Sequence, residues 1–348
     1  MWVKTVGHDL ILLRKSKIRP HKAFVMPDFE APTVLVSDKY DYVELWLKRN
    51  SNRKARILWQ QAENFYRASL SMPNESRAIL AYYCILNAVK ALLEAKGIKY
   101  SQLHGVSGKS TGMRTSLCNE ISTIKSNGIF FSINKYYGSN FSGIDVSLKN
   151  VMYNIPFVHR AYTVTYRCSK ELFIPLKDPH FVRQNGGSEA WFCAEIADEK
   201  YCDNKVMDRQ RGWEIDKSVS DKFIIRRKKR FRWDESLNSK EDRINELLSY
   251  HQKIRRDIKY IHGDQRLWYY KRNDRASDLL NWPVPSLIFV AMHRLSELTR
   301  YDPKKLLCHF ECQHNWLLTE FMNKATDNFI DQIASDITGR ELMVPGYR

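Results

Sequence analysis

A chain of 348 residues with 43% hydrophobic and 12% aromatic residues suits one large or two modest domains with a full core, which excludes wholesale disorder. No run of about 18 uninterrupted apolar residues occurs, so an ordinary membrane span is excluded. The net charge of +17 points to polyanionic partners, and seven cysteines at 84, 118, 168, 193, 202, 308 and 312, without framework spacing, read as reduced thiols.

Residues 1–41 mix short apolar runs with Pro20, Pro27 and Pro32, which predicts an extended N-terminal arm with up to two strands. The apolar patch Leu10 to Leu13 is short and precedes basic residues, the reverse of a signal peptide, so a cytoplasmic protein is expected. Leu45, Trp46, Ile57, Leu58 and Phe65 predict a helix from Tyr42 to about Ser71, stopped by Met72-Pro73. A stronger helix follows. Asn74 is its expected N-cap and Gly97 lies just past its end. Ala78, Tyr82, Ile85, Leu86, Val89, Leu92 and Leu93 give it one wide apolar face, while Tyr83, Asn87, Lys90 and Glu94 share a polar one.

The segment LHGVSGKSTG, with Gly105, Gly108 and Gly112, predicts a break in regular structure. Strands are expected through Gly128 to Tyr137, and a helix from near Ile144 past Pro156. From Phe181 to Trp233 the pattern is β-type alternation, broken by Asn185-Gly186-Gly187 and Gly212. Ser239 is expected to cap a helix running to Gly263, Pro283 and Pro285 introduce a buried one, and two more run from Pro303 to Thr338. The predicted architecture is mainly α with a β-rich insertion (α+β). Its segments are the arm 1–41, a helical domain 42–175, a β-rich basic insertion 176–236 and a C-terminal helical region 237–348 packing on the core.

Charge concentrates between Lys222 and Arg275, with 17 Lys and Arg against 8 Asp and Glu. There RRKKRFR sets Arg226, Arg227, Lys228, Lys229, Arg230 and Arg232 around Phe231, a composition that suits phosphate contact and base stacking. Lys259, Lys271 and Arg272 extend the same chemistry. Nucleic acid, RNA or DNA, is the expected partner. The other reading is a non-enzymatic subunit whose basic surface docks a partner ATPase or nuclease in a defence complex.

For chemistry, His262 with Arg255 or Arg256 could pair a general base with a phosphate holder. Arginine and histidine are frequent enough here for chance to supply such pairs. His104 lies in the glycine-rich segment, where backbone N–H groups can cradle an anion, with Lys90, Lys109 and Arg160 as candidate anion holders. GVSGKST lacks the spacing of a phosphate loop. CHFECQH offers Cys308, His309, Cys312 and His314, but no second ligand pair lies nearby in sequence. The motif reads as small buried residues on an amphipathic helix, and no metal or cofactor is expected.

AYYCILNAVKALLEAKG followed by LHGVSGKSTG, with the later IPFVHRAY and LSELTRYDP, resembles the YaaC-like family. That resemblance implies a bacterial protein and brings no particular reaction with it. The same helix is similar to HEPN domains. This second resemblance implies a HEPN-like helical core, a metal-independent ribonuclease or nucleotide-binding activity in antiphage defence, and a homodimer. The HEPN nuclease signature sets a histidine shortly after an arginine. In IPFVHRAYTVTY, where domain order would place it, Arg160 is followed by Tyr162 and Tyr166 and by no histidine in range.

Overall fold

The computed structural model describes residues 7–167, 169–218, 222–235, 239–263, 267–274 and 279–345. The chain divides into two compact units, one made of residues 1–32 and 172–279, the other of 33–171 and 280–348.

The first unit is built on an antiparallel sheet of eight strands among the described residues. Its spine is the hairpin of Phe173–Gln184 and Glu189–Ile196, whose turn Gly186 closes at φ +66. Ile224–Arg227 and then Trp213–Ile215 extend it on one side, Leu267–Lys271 and then Ile258–Ile261 on the other. His8–Leu10 pairs with the first spine strand and Phe231–Arg232 with the second. Phe181, Phe192, Trp213, Phe231 and Trp233 pack in one core cluster with Leu247, Tyr250 and Ile254 of the helix Lys240–Asp257. Ser239 caps that helix as the sequence predicts, and the structure adds a capping box between Ser239 and Asp242. It ends at Asp257, not Gly263, because the β-branched and aromatic Ile258-Lys-Tyr-Ile leaves it to pair with Leu267–Lys271.

This sheet overturns the expected mainly α architecture with a HEPN-like helical core and a β-rich insertion. The chain is a mixed α+β fold. The strands between 173 and 232 are completed by one from the N-terminal arm and two from beyond residue 257. Backbone groups of such short strands are satisfied only by partners distant in sequence, which local alternation cannot reveal.

In the second unit the helix Asn74–Ala95 is buried along most of its length. The helices Arg53–Ser69, Val284–Tyr301 and Asn315–Thr338 pack against it. Among the described residues it is the one helix long and apolar enough to cross a membrane, and 67% of that stretch is buried inside the protein. Asn74 is its first residue and Pro73 its cap, while Gly97 follows the end at φ +66. The long helix expected from Tyr42 is two, Lys39–Arg49 and Arg53–Ser69, with Asn52 capping the second through the Ala55 N–H.

The glycine-rich segment is not irregular. Val106–Ser110 pairs with Glu120–Ile124, which pairs with Asp145–Ser147. The stretch expected as strand forms the helix Ile129–Tyr136 instead, packing Ile129, Phe130 and Ile133 inward. Leu342–Met343 pairs in parallel with Val34–Leu35. Cys168 lies outside the described residues, and the other six cysteines are free thiols.

Candidate functional site

A close backbone crossing in the second unit creates the site. Gly105 and Gly128 sit at φ +82 and +102, and a Cβ on Gly128 would lie 2.6 Å from the Gly105 nitrogen. Only glycine permits that approach. Across it the Ile129 and Phe130 N–H groups donate to the Leu103 and His104 carbonyls at 2.8 and 3.1 Å. The start of one helix thereby fixes the residue carrying the imidazole.

His104 Nδ1 lies 2.8 Å from the Tyr82 hydroxyl, contributed by the core helix. Its ring sits 5.7 Å from His293, edge to face, and His293 meets Tyr82 the same way at 5.1 Å. His293, Glu297 and Arg300 lie at positions i, i+4 and i+7 of the helix Val284–Tyr301, so one stripe of that helix serves the site. Burial lowers the His104 pKa, the Arg300 and Lys90 cations lower it further, and Glu297 opposes them. The imidazole is therefore neutral at physiological pH. Burial, with His104, Arg300 and Arg294 nearby, pushes His293 down to about 3. His293 Nδ1 is buried without a hydrogen-bond partner, a cost that ordinary packing avoids.

Behind this rim lies a buried ionic network. Arg294, 5% exposed, donates to Glu120 Oε2 from Nη2 at 2.6 Å and from Nε at 3.1 Å. It also donates to Glu297 Oε2 at 3.1 Å and to the Ser110 hydroxyl at 2.9 Å. Glu120 is fully buried, which by itself raises its pKa, yet hydrogen bonds from His309, Arg294 and Ser110 hold the carboxyl at about 2. Lys305 approaches its other oxygen at 3.2 Å. Glu297 Oε1 accepts the Gly108 N–H at 3.0 Å. A Cβ on Gly108 would overlap Glu297 Oε2 and reach within 2.5 Å of Arg294 Nη1, so this glycine serves close approach and not a phosphate loop.

Of the residues singled out in sequence, the second unit brings His104 and Lys90 together. Lys109 pairs with Asp145 at 2.8 Å and Arg160 with Glu171 at 3.3 Å, both on the surface. The first unit holds the remainder, with most arginines of the basic run matched by carboxylates. Arg226 bonds Glu214 at 2.7 Å, Arg227 bonds Asp257 at 2.6 Å, Arg230 lies 3.5 Å from Glu189 and Arg232 lies 3.6 Å from Asp234. Arg230 also lies over the Trp191 ring. Phe231 and Trp233 are buried in the core rather than presented for stacking, while Lys228 and Lys229 are exposed. Arg272 makes a two-pronged contact with Asp274 at 2.7 and 3.1 Å.

Arg255 is buried, donates to the Lys22 carbonyl at 3.1 Å and lies over Trp268. Lys259 and Lys271 are buried as well, while Arg256 is exposed. His262 lies beyond the strand Ile258–Ile261, outside the helix that carries Arg255 and Arg256, so the expected continuous helix does not join them.

Tyr82, His293, Arg294, Glu297, Arg300 and Glu120 escaped the sequence reading. One signal was present: four polar residues at 293, 294, 297 and 300 inside SLIFVAMHRLSELTRY, a helix otherwise fit for the core. Among the described residues, His309, Cys312 and His314 form a group able to hold a metal ion.

The model of a family described as YaaC-like Protein matches residues 29–337 of this chain, a span that includes the whole of this network. Neither a curated protein nor a solved structure matches the chain.

Proposed function

The chain belongs to the YaaC-like family, and from that premise we propose that it binds nucleic acid at the cationic rim around His104. One observation carries this reading. Among the described residues Lys90 and Arg300 have no carboxylate partner, although both charges act on the His104 ring. Most arginines of the basic run in the other unit are, by contrast, neutralised at short range. Unmatched cations beside a neutral imidazole suit a phosphodiester, and the net charge of +17 attracts such a chain at long range. Tyr301, 78% exposed and lying under the Arg300 guanidinium, offers a face on which a base can stack.

The same arrangement supports backbone cleavage. If Tyr82 accepts the Nδ1 proton, Nε2 keeps its lone pair for a ribose 2′-hydroxyl while Arg300 and Lys90 hold the phosphate as charge develops. No metal takes part in that step.

The test is gel-shift and cleavage of labelled single-stranded RNA, duplex RNA and DNA across a salt series with EDTA present. Wild type is expected to bind with strong salt dependence. Lys90→Ala and Arg300→Ala should each weaken binding and reduce the salt slope by about 1. His104→Ala should retain binding and abolish any cleavage. Absence of binding at low salt, or a Lys90→Ala/Arg300→Ala double variant that binds like wild type, sinks the proposal and turns attention to a protein partner.

A further inference from the structure

The corner between the helices Pro303–Glu311 and Asn315–Thr338 carries a second cluster that the nucleic-acid reading does not use. His309 Nδ1 lies 2.8 Å from His314 Nε2, and Cys312 Sγ lies 3.0 Å from that same nitrogen. All three candidate ligand atoms fall within 4.8 Å of one another. Both imidazoles are buried and the thiol is half-buried. His309 Nε2 lies 3.2 Å from Glu120 Oε1, and Glu120 is itself anchored by Arg294, Ser110 and Lys305.

That outer contact decides how the cluster reads. A carboxylate on one ring nitrogen places the proton there and leaves the opposite nitrogen, here Nδ1, with its lone pair facing the cluster. The Cys312 sulfur lies against the His314 ring, 3.0 Å from Nε2 and 3.3 Å from Nδ1, so all three side chains meet in one small volume. Two nitrogens and a sulfur converging in the interior, with the first imidazole oriented by a buried carboxylate, match the ligand set of a borderline-soft divalent ion and not that of magnesium or calcium.

We propose that His309, Cys312 and His314 bind one zinc-class metal ion, with Glu120 as the positioning residue for His309. Zinc takes nitrogen at about 2.0–2.1 Å and sulfur at about 2.3 Å, which spaces tetrahedral donors roughly 3.3–3.6 Å apart. The two contacts to His314 Nε2, 2.8 and 3.0 Å, open by about half an ångström on binding, and the third donor pair closes from within 4.8 Å. Cys312 binds as thiolate, so each ion taken up releases one proton to solvent and no electron is transferred. Three protein ligands leave the fourth position to water. The ion ties the helix corner to the Glu120–Arg294 network, and the site is independent of whether His104 meets nucleic acid.

The experiment is metal titration of the purified full chain after chelator treatment. Cobalt serves as the spectroscopic probe and zinc as the competitor, with circular dichroism confirming that each variant is folded. Wild type is expected to take one cobalt per chain with a thiolate-to-metal absorption band, to lose that band on adding zinc, and to melt at higher temperature with zinc than without. The near-isosteric Cys312→Ser should lose the band, and His314→Ala should lose tight binding. Glu120→Gln should weaken affinity about 10–100-fold. Cys118→Ala, an exposed cysteine elsewhere in the chain, should bind like wild type. A folded wild type with no thiolate band and no zinc-dependent rise in melting temperature overturns the proposal, as does a Cys312→Ser variant that binds cobalt as wild type does.

Discussion

At the scale of single residues the chain's positive charge divides into groups that are matched, buried or unmatched. Arg226 and Arg227 are matched and brace the sheet of the first unit. Lys259 is buried, with its ammonium donating to the Arg256 carbonyl at 2.8 Å. Burial and the neighbouring Arg255 push its pKa down to about 7, Asp257 partly opposing them. The unfolded chain holds this proton up to the ordinary lysine value, so between the two values it binds more protons than the folded chain. The position is therefore fully tolerated only above the unfolded pKa, and stability is lost as pH falls toward 7. Lys259→Met is expected to raise stability by about 1–3 kcal/mol at pH 7. The gain should shrink as pH rises toward 9.5, as urea titrations at several pH values will read. A variant that is less stable than wild type at pH 7 would show that the ammonium has a role its burial does not reveal.

At the scale of elements the helix Val284–Tyr301 is the informative one. Its apolar positions were legible from sequence, yet its polar stripe organises the site, because Arg294 reaches both Glu120 and Glu297. Glu120 is held at about 2, so its contribution is present above the unfolded carboxylate value near 4.5 and lost as pH falls through 2. Arg294→Met takes two hydrogen bonds and the nearest cation from that buried carboxylate. It should cost about 3–5 kcal/mol at pH 7, and less below pH 4, where a protonated Glu120 tolerates the loss. Thermal melts across that range test the sign. The misread elements share one cause. Ile129–Tyr136 is rich in β-branched and aromatic residues, but Gly128 and the donors to Leu103 and His104 commit it to helix. Val106–Ser110 contains glycine, but pairing with Glu120–Ile124 and the Glu297 contact commit it to strand. Local propensity was overruled by partners far along the chain.

At the scale of the whole molecule, each unit is assembled from two separated stretches, so neither core is closed by a contiguous segment. The helix Asn74–Ala95 depends on Val284–Tyr301 and Asn315–Thr338 for cover. A fragment ending at residue 279 would leave that apolar helix exposed and should accumulate as insoluble protein. Co-expression of residues 280–348 should restore solubility, which fractionation of lysates will measure. A soluble, folded 1–279 fragment would mean that the core helix is covered by something other than those two helices.

The sequence by itself determined the long core helix and its stop at Gly97, the helix cap at Ser239, the helices after Pro283 and the excess of positive charge. Each of these is written in periodicity, caps or composition, within reach of a few neighbouring residues. The tertiary structure decided which strands complete the sheet, which cations are neutralised and which buried groups meet. His309 finds its carboxylate 189 positions away, and Gly108 finds Glu297 at the same separation. A buried charge or ring nitrogen must be satisfied by some partner, but nothing local in the sequence says which one, so that choice is made only when the chain closes on itself.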